Sequence, residues 1–197
     1  FNKIIYFNKK NGIIEIESGV LLRDLLPIIT QESWFVPVTP GTRYVSLGGM
    51  VANNIIGKNT NKNQIKYHIK KIKIMTPSKK IISCSKSKNK KIFDLTVGGF
   101  GLTGAILTVT LKLRKIYSES IEQKIIEFSN FKQFYAISKN NKKYEYSVCW
   151  IDNFSSNKIQ GLYYLGNHYK KNNSIKSKVF REKKIGLITL LIFRIIN

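Results

Sequence analysis

The placement of glycine limits how this chain can fold more than any other feature. Val38 to Asn59 reads VTPGTRYVSLGGMVANNIIGKN, with four glycines and two charged side chains, in a chain where 34 of 197 residues are Lys or Arg. A second cluster, Gly98-Gly99-Phe100-Gly101-Leu102-Thr103-Gly104, lies further on. Glycine lacks a Cβ, so it permits positive φ and lets another group lie directly against the main chain. Neither cluster has the G-x-G-x-x-G or G-x-x-x-x-G-K-[ST] spacing, which argues against a Rossmann dinucleotide site and a P-loop.

Between and around the clusters the hydrophobic pattern alternates between periods of two and 3.6. Ile13 to Ser18 reads as a half-buried strand. After Gly19, Leu21, Leu22, Leu25, Leu26 and Ile29 recur at helical spacing, with the helix ending between Thr30 and Ser33. Trp34 to Val38 is extended and stops at the Pro40-Gly41 turn. Ser46 is placed to cap a short helix. His68 to Thr76 and Lys80 to Cys84 read as strands around a Pro77-Ser78 turn, and Lys86 to Lys91 as a basic loop. The clearest strand carries Leu107, Val109, Leu111 and Leu113 on one face and Thr108, Thr110 and Lys112 on the other. Beyond Tyr117 a helix capped by Ser129 or Asn130 precedes strands at Tyr144 to Trp150 and Gly161 to Leu165. The fold class is α+β. The boundary falls near residue 117, giving units 1–116 and 117–197, because glycine motifs lie before it and aromatic strands after it.

A content of 43% hydrophobic and 12% aromatic residues is enough to bury a core. The formal net charge of +23 raises a second class of function, a basic binding protein for nucleic acid or anionic membrane. Its details favour a drifted surface instead. Of the 34 basic residues 29 are Lys, spread from end to end, whereas phosphate and base recognition favours the Arg fork. Cys84 and Cys149 stand alone, with neither zinc-ligand nor disulfide-framework spacing, so no metal is expected. The chain opens at Phe1 without Met or a leader pattern and closes in the apolar run Ile185 to Asn197, so it reads as a fragment. That run is shorter than the roughly 20 residues of a membrane span and contains Arg194, which favours a buried strand or helix over an anchor.

A Pro-Gly-Thr loop feeding a helix that opens Ser-x-Gly-Gly is expected to offer unpaired N–H groups at the positive end of a helix dipole, suited to an anion such as a pyrophosphate. Thr42 and Ser46 would add hydroxyls, and the bare side of Gly48, Gly49 and Ala52 would leave room for a flat ring or a ribityl chain. Tight turns and close helix-on-sheet packing are the competing explanation for the same glycines.

Taken together, Pro37 to Asn59 and FDLTVGGFGLTGAILTVTLKL (Phe93 to Leu113) resemble the FAD-linked oxidases with a PCMH-type, vanillyl-alcohol-oxidase-like flavin domain. Within that family they are most similar to the decaprenylphosphoryl-β-D-ribose 2-oxidase branch. Sugar-lactone oxidases of the family usually end the first motif in HGTG, and Gly57-Lys58-Asn59 here follows the ribose-oxidase pattern. The resemblance runs from about Ile4 to Trp150. It implies the second half of a PCMH-type domain, a mixed or antiparallel sheet flanked by helices, followed by the start of an α+β substrate domain. It further implies a glycine loop of the type GRGxSYGD upstream of Phe1, and a lysine, tyrosine and cysteine of the substrate pocket beyond Asn197.

Residue by residue, the resemblance puts Gly41 and Thr42 at the border of a non-covalently bound FAD. Ser46, Leu47, Gly48 and Gly49 fall against its phosphate and ribityl portion, Asn53, Asn54, Ile55 and Ile56 beside the isoalloxazine, and Gly104 and Ala105 at a second main-chain approach. Lys58 matches a lysine that faces substrate. No catalytic residue is singled out. The sequence departs from the family at Ile56, where a His is usual, at Thr60-Asn61, where His-His is usual, and at Gln64 to His68. These losses of polar groups bear on specificity. The implied function is FAD-dependent oxidation of a sugar secondary alcohol to a ketone. The alternatives are a sugar-lactone or aldose oxidase and the non-enzymatic basic binding protein. The implied partner is a small or lipid-linked sugar and not nucleic acid, in the cytoplasm, with a basic surface suited to the membrane periphery.

Overall fold

The computed structural model describes residues 1–59, 64–152 and 159–170. A five-stranded antiparallel sheet organises the first part, in the order β1-β2-β6-β4-β5. Its strands are β1 (Ile4–Asn8), β2 (Ile13–Glu17), β4 (Ile69–Met75), β5 (Ile81–Cys84) and β6 (Ala105–Lys112); β3 (Trp34–Phe35) pairs separately with β7 (Arg114–Lys115). One face is sealed by α1 (Leu22–Gln31) and α2 (Leu47–Ala52). The expected alternation appears directly in burial: Ile14, Ile16, Ile72, Ile74, Val109 and Leu111 are fully buried, joined by Leu25 and Ile29 of α1 and Leu47 of α2. Burial of such side chains at about 1.5–3 kcal/mol each is the main force holding this layer.

The opposite face carries an ionic cluster. Glu15 sits 3.0 Å from Lys73 and 3.5 Å from Lys71, and accepts a 3.1 Å hydrogen bond from Thr108 Oγ1. Burial pushes its carboxyl upward, but the hydrogen bond from Lys73 and the charge of Lys71 outweigh this and hold it below the ordinary Glu value.

The segment read as a basic loop, Lys86 to Lys91, instead runs into a helix, α3 (Lys90–Thr96). The anchor is Phe93, fully buried, which outweighs the lysines on the exposed turns. The clear Trp34 to Val38 extension is regular over only two residues.

From Ile121 a second, smaller layer forms: β8 (Ile121–Phe128), β9 (Tyr146–Asp152) and β10 (Gln160–His168), in the order β8-β10-β9, with α4 (Phe131–Asn140) on one face. Phe128, Tyr163 and Leu165 pack with Phe134 and Ile137 of α4, separately from the first core. Asn130 Oδ1 caps α4 by accepting from Gln133 N at 2.9 Å, and Gln133 Oε1 accepts from Ser129 N at 2.8 Å, a reciprocal pair of the capping-box kind.

The two layers meet through polar groups. Arg114 pairs with Glu145, both largely buried, and Tyr146 Oη lies 3.0 Å from His168 Nε2. His168 Nδ1 lies 2.8 Å from the Ser118 carbonyl, and the Phe35 ring meets the imidazole edge-on at 5.0 Å. A carbonyl can only accept, so Nδ1 carries the proton and Tyr146 donates to Nε2. Burial depresses the His168 pKa and raises that of Tyr146, so both are neutral in this contact. The apolar run Ile185 to Asn197 lies outside the described residues. Among the described residues no helix is long and apolar enough to cross a membrane.

Candidate functional site

A groove of about 540 Å³ opens between the end of β2, the start of α2 and the loop entering β6. Seven of its ten lining residues are Gly or Ala: Gly19, Gly48, Gly49, Ala52, Gly101, Gly104 and Ala105; Ser18, Ser46 and Ile106 complete it. In a chain of net charge +23 it bears no charged side chain. Its volume lies within the roughly 300–1,000 Å³ of small-molecule sites.

Local folding explains how the groove forms. Ser46 Oγ accepts from Gly49 N at 3.1 Å and starts α2, and the backbone of Leu21 and Ser46 bridges the two ends of the preceding excursion. Two of the glycines are required by the protein itself. A Cβ on Gly48 would stand 2.8 Å from Ser18 Cβ, and one on Gly104, whose φ is +133°, would stand 2.2 Å from the Met75 carbonyl oxygen. The bare floor is therefore a by-product of α2 and the β6 entry pressing onto neighbouring strands, which is the packing explanation for these glycines.

The expectation of free amides at the start of α2 does not hold. Leu47 N donates to Val20 O at 2.9 Å, Gly48 N to Ser18 O at 2.8 Å and Gly49 N to the Ser46 hydroxyl. With those amides consumed in joining α2 to the β2 exit, the Ser46 hydroxyl, which accepts from Gly49 N, keeps its O–H as a donor at the helix start. The groove's bare, uncharged lining suits the flat, weakly polar portion of a nucleotide cofactor.

Of the residues singled out from sequence, Ser46, Gly48, Gly49, Gly104 and Ala105 line this one groove. Leu47 is fully buried, its side chain in the core. Gly41 and Thr42 lie on the exposed loop before α2, outside the groove lining; the Thr42 hydroxyl accepts from Tyr44 N at 3.1 Å. Asn53 to Ile56 form the turn that leaves α2. Asn53 Nδ2 returns to Gly49 O at 2.9 Å, Asn54 holds a left-handed φ of 43° and bonds Gln64 Oε1 at 2.8 Å, Ile55 packs against the core, and Ile56 is 69% exposed. Lys58 is half-buried, with its main chain between the two layers. Ala52, expected to leave the helix side bare, lines the groove as well, whereas Ser18, Gly19, Gly101 and Ile106 carry no site expectation from the sequence. Gly19, which breaks an otherwise regular strand, was the visible signal for that wall. Thr60 and Asn61 lie outside the described residues.

Residues 1–85 match the FAD binding domain family. That match covers 85 of the 197 residues. Over 114 residues the chain is 30% identical to the decaprenylphosphoryl-beta-D-ribose oxidase of Mycolicibacterium smegmatis, covering 57% of this chain and 25% of that protein. It is 29% identical over 122 residues to a D-lactate dehydrogenase of Anaerostipes hadrus, with the same coverage, and 27% identical over 116 residues to the L-gulonolactone oxidase of Mus musculus, covering 56% and 25%. The chain spans about a quarter of the length of these relatives. These relatives are oxidases and a dehydrogenase, and the FAD-binding match gives FAD as the cofactor. The groove residues fit that cofactor: Gly49, Ala52, Gly101, Gly104 and Ala105 would border its flat part, with the Ser46 side chain at one end.

Proposed function

We propose that the full-length protein oxidises a secondary hydroxyl of a sugar to a ketone, with a lipid-linked phosphosugar as substrate. The observation that carries this reading is the Gly57-Lys58-Asn59 ending of the first glycine motif in a chain similar to a decaprenylphosphoryl-ribose oxidase. FAD, when bound, supplies the hydride acceptor; the chain supplies orientation and electrostatics. Lys58 is assigned to the substrate. Its ammonium is a compact cation suited to a phosphate or to sugar hydroxyls, and its main chain is fixed between the flavin-binding layer and β9. The uncharged groove leaves the apolar ring surface without a competing ion. A cytoplasmic protein whose basic surface meets an anionic membrane would reach such a substrate where it resides.

The similarity to a D-lactate dehydrogenase, at nearly the same identity, supports a second reading in which the alcohol belongs to a small 2-hydroxy acid. Anaerobic mixing of full-length flavoprotein with each candidate separates them. Bleaching of the flavin absorption is expected with a phosphoprenyl ribose and not with free lactones, aldoses or D-lactate. Bleaching by D-lactate or a lactone alone would replace the proposed substrate. Salt-sensitive binding of nucleic acid by a preparation that never takes up FAD would point to the basic binding protein instead.

A further inference from the structure

We infer that Asn59 is a positioning residue: its buried amide locks the Gly57-Lys58-Asn59 segment onto the strand-exit loop at Pro37–Thr39, so that Lys58 is held as a bridge between the flavin-binding layer and the second sheet. Asn59 is 1% exposed, and both ends of its side chain are used. Nδ2 donates to Pro37 O at 2.6 Å and Oδ1 accepts from Thr39 N at 3.3 Å. The side-chain amide thus does the work of a peptide group in a strand pair. Thr39 in turn gives its carbonyl to Lys58 N at 2.9 Å, so both of its main-chain groups are spent on two consecutive residues.

The other side of Lys58 is fixed as well. Its carbonyl accepts from Ser147 N at 3.0 Å, and Ser147 lies on β9, an edge strand of the second sheet. An outward N–H on an edge strand is open to any partner, and here that partner is Lys58. Gly57 makes the closure feasible: a Cβ there would stand 2.4 Å from Asn59 Oδ1 and 2.6 Å from Thr39 N, wedged into the bond between them. Each residue of the motif therefore has a separate task. Gly57 leaves space, Asn59 closes the latch, and Lys58 spans the two layers, its side chain without a hydrogen bond or ion pair among the described residues. Its service to a ligand rests on the proposed role of Lys58; the latch itself does not.

The test uses full-length flavoprotein carrying Asn59→Ala, Gly57→Ala or Ser147→Pro, the last cutting only the bridge, since an edge strand tolerates proline where the N–H points outward. Amide exchange is read at residues 37–43 and 146–150, with residues 13–17 of the core as reference. Asn59→Ala and Gly57→Ala are expected to speed exchange at both sites at least tenfold and Ser147→Pro at the second only, with the reference unchanged. Unchanged exchange at 146–150 in Asn59→Ala would overturn the latch. In turnover of a phosphoprenyl ribose, Asn59→Ala is expected to raise KM at least fivefold with kcat within twofold, and Lys58→Ala/Asn59→Ala to be no worse than Lys58→Ala alone. Multiplicative effects would refute action through Lys58. If wild-type protein does not turn over this substrate, the proposed substrate fails while exchange still decides the latch.

Discussion

Gly104→Ala is expected to destabilise the flavin-binding layer by about 2–5 kcal/mol, summing roughly 1–2 for backbone conformation and 1–3 for overpacking. A side chain at φ +133° is strained wherever it points, and here the added Cβ would stand 2.2 Å from the carbonyl oxygen of Met75 and 3.0 Å from the Thr76 Cα. Both are main-chain atoms of the β4 end, which cannot swing aside as a side-chain tip can. Gly101→Ala is the matched control. Its φ is +83°, but its Cβ would meet nothing within 4 Å, so only the backbone cost of about 1–2 kcal/mol applies. Denaturant unfolding of the two variants should therefore differ by about 1–3 kcal/mol, the overpacking share. Equal midpoints would mean that the β6 entry does not press on β4 as described.

Arg114→Ala is expected to cost about 3–5 kcal/mol in the packing of the second sheet, because it leaves the Glu145 carboxylate buried without its partner. The two side chains are only 17% and 18% exposed, so water replaces the lost cation poorly. Removing both charges should be far milder: Arg114→Met with Glu145→Gln is expected to recover most of the loss. Exchange rates in β9 and the denaturant midpoint of the second layer report the outcome. A single variant as mild as the double would show that the pair is solvated and contributes little.

Much of this architecture is readable from residue pattern alone, for identifiable reasons. Strand β2 alternates cleanly because one face meets a dry core, β4 does so from Ile72 onward, β6 alternates in residue type although Thr108 and Thr110 are buried as well, and α1 shows Leu22, Leu25 and Ile29 at helical spacing. Ser46 and Asn130 declare their helices by hydroxyl and amide caps. What stays hidden is held by context. β8 has almost no buried positions before Phe128, so nothing in Ile121 to Glu127 enforces a period of two. α3 depends on one buried ring among lysines. In the first wall of the groove Gly19 is visible as a break in a regular strand, but the place of Ser18 is set by a distant contact with Gly48 that no local pattern encodes. The glycines themselves were legible, but their reason was not: spacing shows that bulk is excluded, and only the fold shows that Ser18 and Met75 exclude it. The paired amides at the start of α2 are likewise a product of tertiary contact with Val20 and Ser18.

In the proposed complex the flat part of the flavin lies in the bare groove between α2 and the β6 entry. Ala52 faces that groove from a helical position where a larger side chain meets no backbone restriction. The direct measurement is the visible spectrum of full-length Ala52→Trp protein after incubation with FAD and removal of the excess, with circular dichroism to check folding. A folded, colourless protein is the predicted result. Stoichiometric flavin with an unshifted spectrum would place the cofactor elsewhere and contradict it.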